Sequence, residues 1–115
     1  MKATVLTEIK SPLVIREVPD QVAASGSAVV RLQAAALNHR DLWIQLGQYA
    51  GIKLPITLGS DGAGTVTAVG SPADQSWIGR DIIINPSLDW GSDPRAQGPP
   101  FRILALPAHR PFAAQ

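Results

Sequence analysis

Apolar and polar positions alternate over most of this chain, and the period is two far more often than 3.6. Lys2–Leu6 and Leu13–Glu17 are two short β-rich runs, and the turn formers Lys10-Ser11-Pro12 between them predict a hairpin. Pro19 to Gly26 is a loop of turn formers. Ser27–Leu37 then predicts a longer strand. Val30, Leu32, Ala34 and Ala36 share one face and Arg31 and Gln33 the other, as one-sided burial requires. At Asn38 the period changes. Leu42, Trp43, Ile44 and Leu46 suit one short helix, with Asn38 as N-cap, Asp41 at the third helical position and Gly47 as its stop.

Beyond the helix the pattern returns to strands. Tyr49 to Pro55 reads as a loop, Gly62–Gly70 as a Thr/Val strand and Asp74 to Gly79 as a turn holding Trp77. Ile82–Asn85 is a compact β-branched strand closed by Pro86. Six of the ten prolines follow Asn85, so Pro86–Pro100 predicts a long irregular surface loop. Arg102–Leu106 suits one last strand, and residues 108–115 carry no period and are expected to fray. There is no internal repeat. The fold class this implies is mainly β, a small domain with one inserted helical turn.

Composition narrows the chemistry. The chain has 115 residues, which allows one domain or a piece of a larger one. With 45% hydrophobic and 17% charged residues it should fold. Ten Lys plus Arg against nine Asp plus Glu leave a net charge of +1, which argues against nucleic acid as a partner. Cysteine is absent, which removes disulfides, thiolate zinc ligands, iron–sulfur clusters and thiol nucleophiles. The stretch without charged side chains at Leu42–Ile52 is about half of what a membrane-spanning helix needs. Glu8 interrupts the apolar run at the amino terminus, so no secretory core is visible and a cytoplasmic location is the default expectation.

Three segments carry a specific likeness: Ala36-Leu37-Asn38-His39-Arg40-Asp41-Leu42; Leu58-Gly59-Ser60-Asp61-Gly62-Ala63-Gly64 with Val66 and Val69-Gly70; and Ile78-Gly79 before Ile82-Ile83-Ile84-Asn85-Pro86. In this order they resemble the amino-terminal, GroES-like domain of the medium-chain dehydrogenase/reductase superfamily, and most of all its zinc-lacking, quinone-oxidoreductase-like branch. The resemblance covers residues 1 to 107, with 108–115 as a non-matching tail. It implies a partly open β-barrel that pairs with a Rossmann domain, with NAD(P)H in the cleft between them. Here that coenzyme domain is missing, and the tail stops matching where relatives continue, so the chain is expected to be truncated. Gly59 to Gly64 has reversed glycine spacing and precedes a strand, which rules it out as a phosphate cradle. NAD(P)H is therefore expected in the full-length family, with no tight binding to this chain alone.

The resemblance also ranks the site residues. Zinc-bearing relatives have a cysteine where Asn38 stands and a His-Glu pair where Ser60-Asp61 stands. Asn38 and Ser60 are poor ligands, so no zinc is expected. Asn38 with Asp41 reads as a helix cap, or as a cap that also faces the pocket. Trp43 and Tyr49 read as aromatic walls for a flat enone or quinone, with core packing the stronger alternative for Trp43. Tyr49 can donate to a carbonyl, with nothing nearby in sequence positioned to activate it. Ser60 and Asp61 read as turn residues or as pocket lining. No residue is singled out as catalytic. His39 is a solvated helix-start residue by default, with a proton relay as the alternative; Trp77 and Trp90 read as packing under turns.

The function expected from this reading is the substrate-pocket domain of a zinc-independent NAD(P)H-dependent oxidoreductase, inactive as an isolated chain. The alternative is a non-catalytic product or interaction module that pairs with a full-length homologue or with itself through exposed apolar surface. A chaperonin-cofactor-like ring protein is rejected, because no apolar mobile loop stands between two early strands.

Overall fold

The computed structural model describes residues 1–104 of the chain. Its elements are β1 (Lys2–Leu6), β2 (Val14–Glu17), β3 (Ala28–Ala34), α1 (His39–Gln45), β4 (Ile56–Thr57), β5 (Ala63–Val69), a 3-10 helix (Pro72–Trp77), β6 (Asp81–Ile83), β7 (Ser87–Leu88) and β8 (Arg102–Ile103). They form three antiparallel sheets ordered β2-β1-β4, β3-β5-β6 and β7-β8. Among the described residues no sheet closes on itself, and the fold is mainly β and partly open.

The predicted hairpin is present, with Ala3 opposite Arg16 and Val5 opposite Val14. Its turn is anchored on the helix. Lys10 N–H donates to the Gln45 carbonyl, and the Gln45 side-chain amide donates to the Ser11 carbonyl at 2.9 Å. Ala3 and Val5 of β1 are buried, as alternation requires, and Leu6 at the strand end is buried too. Leu6 and Ile44 are fully buried against each other, with Tyr49, Ile52, Ile56 and Leu58 packed around them. This small cluster holds α1 against the first sheet.

Helix α1 ends as its glycine predicts. Gly47 takes a φ of +74, its N–H donates to the Ile44 carbonyl at 3.0 Å and Gln48 N–H to the Trp43 carbonyl at 2.9 Å. Those two bonds are a Schellman motif, which satisfies carbonyls the helix leaves open.

Several boundaries differ from the sequence pattern. The strand predicted over Ser27–Leu37 stops at Ala34, and irregular register between Val29 and Val30 and between Leu32 and Ala34 breaks its alternation. Val29 and Val30 are both half-buried, whereas Ala34 and Ala36 are exposed. The turn predicted over Asp74–Gly79 is a 3-10 helix with Ser71 as its cap, so the described residues hold two helical segments where the pattern predicts one. The strand predicted at Ile82–Asn85 is Asp81–Ile83. Strand β4 falls just after the predicted loop and was not foreseen.

The segment Pro86–Pro100 is not wholly irregular. Ser87 and Leu88 pair with Ile103 and Arg102, and Arg102 Nε meets Asp89 Oδ2 at 2.5 Å. Inside this hairpin Trp90 meets Phe101 edge to face at 5.3 Å, and its indole N–H donates to the Asp93 carbonyl. The last predicted strand is present over Arg102–Ile103; its predicted end and the 108–115 tail lie outside the described residues. Among the described residues, no helix is long and apolar enough to cross a membrane.

Candidate functional site

Helix α1 is fixed at its first residue. Asn38, the N-cap, has extended backbone (φ −97, ψ 142). Asp41 Oδ2 accepts the Asn38 N–H at 3.3 Å, which closes the return half of a capping box. The other Asp41 oxygen accepts the Gly59 N–H at 3.1 Å and ties the helix start to the turn before β5. That turn brings Asp61 beside Asn38. The Asn38 amide nitrogen donates to Asp61 Oδ2 at 2.9 Å, and Asp61 Oδ1 accepts the Ala36 N–H at 3.0 Å. Ser60, between Gly59 and Asp61, is buried.

Asn38, Asp41 and Asp61 are therefore joined by direct hydrogen bonds, with Ser60 adjacent in the chain. Trp43 and Tyr49 are not bonded to them among the described contacts. Trp43 is 44% exposed, against the core packing expected for it, because it lies on the same helical face as His39 and away from Ile44. Its ring stacks on the His39 imidazole at 5.4 Å and 13°. Tyr49 packs on the Leu6–Ile44 cluster, and its hydroxyl oxygen accepts from Arg40 Nε at 3.1 Å. Arg40 stands in the first turn of α1, nine residues before Tyr49. Trp77 is half-exposed with the Arg80 guanidinium 5.2 Å from its ring, so it caps a turn rather than packing beneath one.

The Ala36 N–H, and next the Asn38 amide, hold the Asp61 carboxyl below the ordinary aspartate range. Such a group stabilises the fold above its unfolded pKa, and that contribution is lost as the pH falls through the lower folded value. Asp61→Asn is therefore expected to be less stable than the native chain at neutral pH. The gap should close as the pH falls below about 4, the range in which free aspartate protonates. Urea unfolding across pH 3 to 7 tests this; a gap that stays constant with pH would exclude it.

Among the described residues no three His, Cys, Asp or Glu side chains come together as a set that could hold a metal ion. A Cβ at Gly62 would stand 2.7 Å from Leu32 Cδ2, and one at Gly64 would overlap the Arg31 carbonyl, so both glycines face β3 rather than a ligand.

Residues 24–101 match the family described as alcohol dehydrogenase GroES-like domain. The chain is 33% identical over 95 residues to the zinc-type alcohol dehydrogenase-like protein YogA of Leptosphaeria maculans, a match covering 80% of this chain and 26% of the relative. It is 37% identical over 81 residues to acryloyl-coenzyme A reductase of Metallosphaera sedula, covering 65% of this chain and 24% of the relative. A crystal structure of an NAD-dependent alcohol dehydrogenase superposes with a TM-score of 0.73 at 32% identity, over 91% of this chain and 33% of that one. The chain thus spans about a quarter of the length of the curated relatives it matches.

Proposed function

We propose that this chain, which belongs to the family of alcohol dehydrogenase GroES-like domains, is the substrate-pocket part of a zinc-independent, NAD(P)H-dependent oxidoreductase. The observation that carries the reading is the state of Asn38. One of its two amide hydrogens is fixed by Asp61 at 2.9 Å, which orients the second as a donor for a substrate oxygen. Zinc-bearing relatives present a metal ligand at that position; this chain presents a neutral, oriented hydrogen bond. When bound, the coenzyme supplies the hydride, and the substrate class is an activated alkene, quinone or carbonyl. The chain's own residues orient that substrate through Asn38 and exclude water around it.

Two measurements on the purified 115-residue chain test this. It is expected to take up no stoichiometric zinc and to show no quinone-dependent oxidation of NADPH. One zinc per chain by native mass spectrometry would overturn zinc independence. Turnover in the usual enzyme range, about 1 to 1,000 per second, would overturn the dependence on a separate coenzyme-gripping part.

A further inference from the structure

Among the described residues one buried side-chain nitrogen has no hydrogen-bond partner, and it belongs to a cation: Nη2 of Arg40. The rest of that guanidinium is engaged. Nε donates to the Tyr49 hydroxyl oxygen at 3.1 Å and Nη1 to the Leu104 carbonyl at 3.2 Å, with Cζ 4.8 Å from the Tyr49 ring centroid. No carboxylate among the described residues forms an ion pair with it. A buried guanidinium without a counter-charge is unfavourable, and an unmet donor adds to that.

The orphan's direction says what it lacks. Nε–H and one Nη2–H leave the same edge of the guanidinium in parallel, the fork that matches two neighbouring oxygens. Tyr49 fills one of those positions and the other has no hydrogen-bond partner. Because the Tyr49 oxygen accepts from Nε, its own hydrogen remains to be donated. An oxygen in the unpartnered position would receive one hydrogen bond from Arg40 Nη2 and a second from Tyr49, next to a positive charge.

We propose that Arg40 and Tyr49 form a binding site for a carboxylate or phosphate oxygen. The site is built from the start of α1 and the loop after it, and no hydrogen bond among the described residues links it to the Asn38–Asp41–Asp61 network. Nη2 is shut off from bulk water, so the anion enters as the groups packed over it give way.

Tyr49 is the chain's single tyrosine, which gives a site-specific probe. With tyrosine labelled by carbon-13 at Cζ, the one resonance is followed while sodium acetate or sodium phosphate is added against sodium chloride at matched ionic strength. A saturable shift with acetate or phosphate and none with chloride is expected, and the tighter of the two identifies the oxyanion. Arg40→Gln should abolish the shift, and Arg40→Lys, which keeps charge but loses the fork, should weaken binding at least tenfold. No saturable shift in the native chain overturns the proposal, as does an equal response in either variant. Should Arg40→Gln fail to fold, the native titration and Arg40→Lys still decide.

Discussion

Ile44→Ala is expected to cost the fold about 3 kcal/mol, within the roughly 2–5 kcal/mol typical of truncating a fully buried isoleucine. The argument starts from scarcity. Only Leu6 and Ile44 are fully buried among the large side chains described, and they pack on each other. Ile44 is the one contact through which α1 buries apolar surface deeply, since Leu42, Trp43 and Leu46 on the same helix are all substantially exposed. A cavity there cannot be refilled from within the helix. Tyr49, Ile52, Ile56 and Leu58 are only partly buried and can relax toward the gap, which keeps the cost below the top of the range. Leu42→Ala, at 46% exposure, serves as the control and should cost under about 1 kcal/mol. Urea unfolding followed by tryptophan fluorescence compares the two. Equal losses would mean that α1 is not held through Ile44. A measured loss near 3 kcal/mol would also explain how the site is positioned, because Asn38 and Asp41 are fixed only as long as α1 stays docked.

Legibility in the sequence followed the range of the interactions. The start and end of α1 were readable because each depends on residues within one turn: Asn38 with Asp41, and Gly47 with Ile44. The end of β3 was not, because Ala34 and Ala36 continue the alternation while the Ala36 N–H is taken by Asp61, twenty-five residues on. A backbone donor leaves no mark in a side-chain pattern. Strand β7 was missed for a similar reason. Two residues among prolines carry no period, and their pairing with β8 is stabilised by Asp89–Arg102 and Trp90–Phe101, which are distant in sequence. In the candidate site, the family resemblance drew attention to Asn38 and Asp61 separately; only the fold shows that they share a hydrogen bond. Arg40 stands in the sequence only as a charged neighbour of His39. Its partners, Tyr49 and Leu104, come from two later segments that no local spacing relates to it.

Gly64→Ala is expected to be at least as damaging, lowering stability by about 3 kcal/mol or more and the melting temperature by about 10 °C or more. Gly64 is the second residue of β5, the central strand of its sheet, opposite Leu32 on one side and Ile82 on the other. An added Cβ would overlap the Arg31 carbonyl and stand 2.9 Å from Leu32 Cα. Both obstacles are backbone, so no rotamer change relieves them; β3 must move away and give up ladder hydrogen bonds with β5. Gly62→Ala makes the contrast, since its new methyl meets Leu32 Cδ2, the far end of a flexible side chain that can turn aside. It should cost clearly less. For a domain whose total stability is about 5–15 kcal/mol, the Gly64 loss approaches unfolding, and it would release the 59–61 turn that precedes β5. Thermal melts by circular dichroism test this. If Gly64→Ala melts within about 2 °C of the native chain, β3 and β5 do not approach as closely as this fold requires, and the position of Asp61 beside Asn38 loses its support.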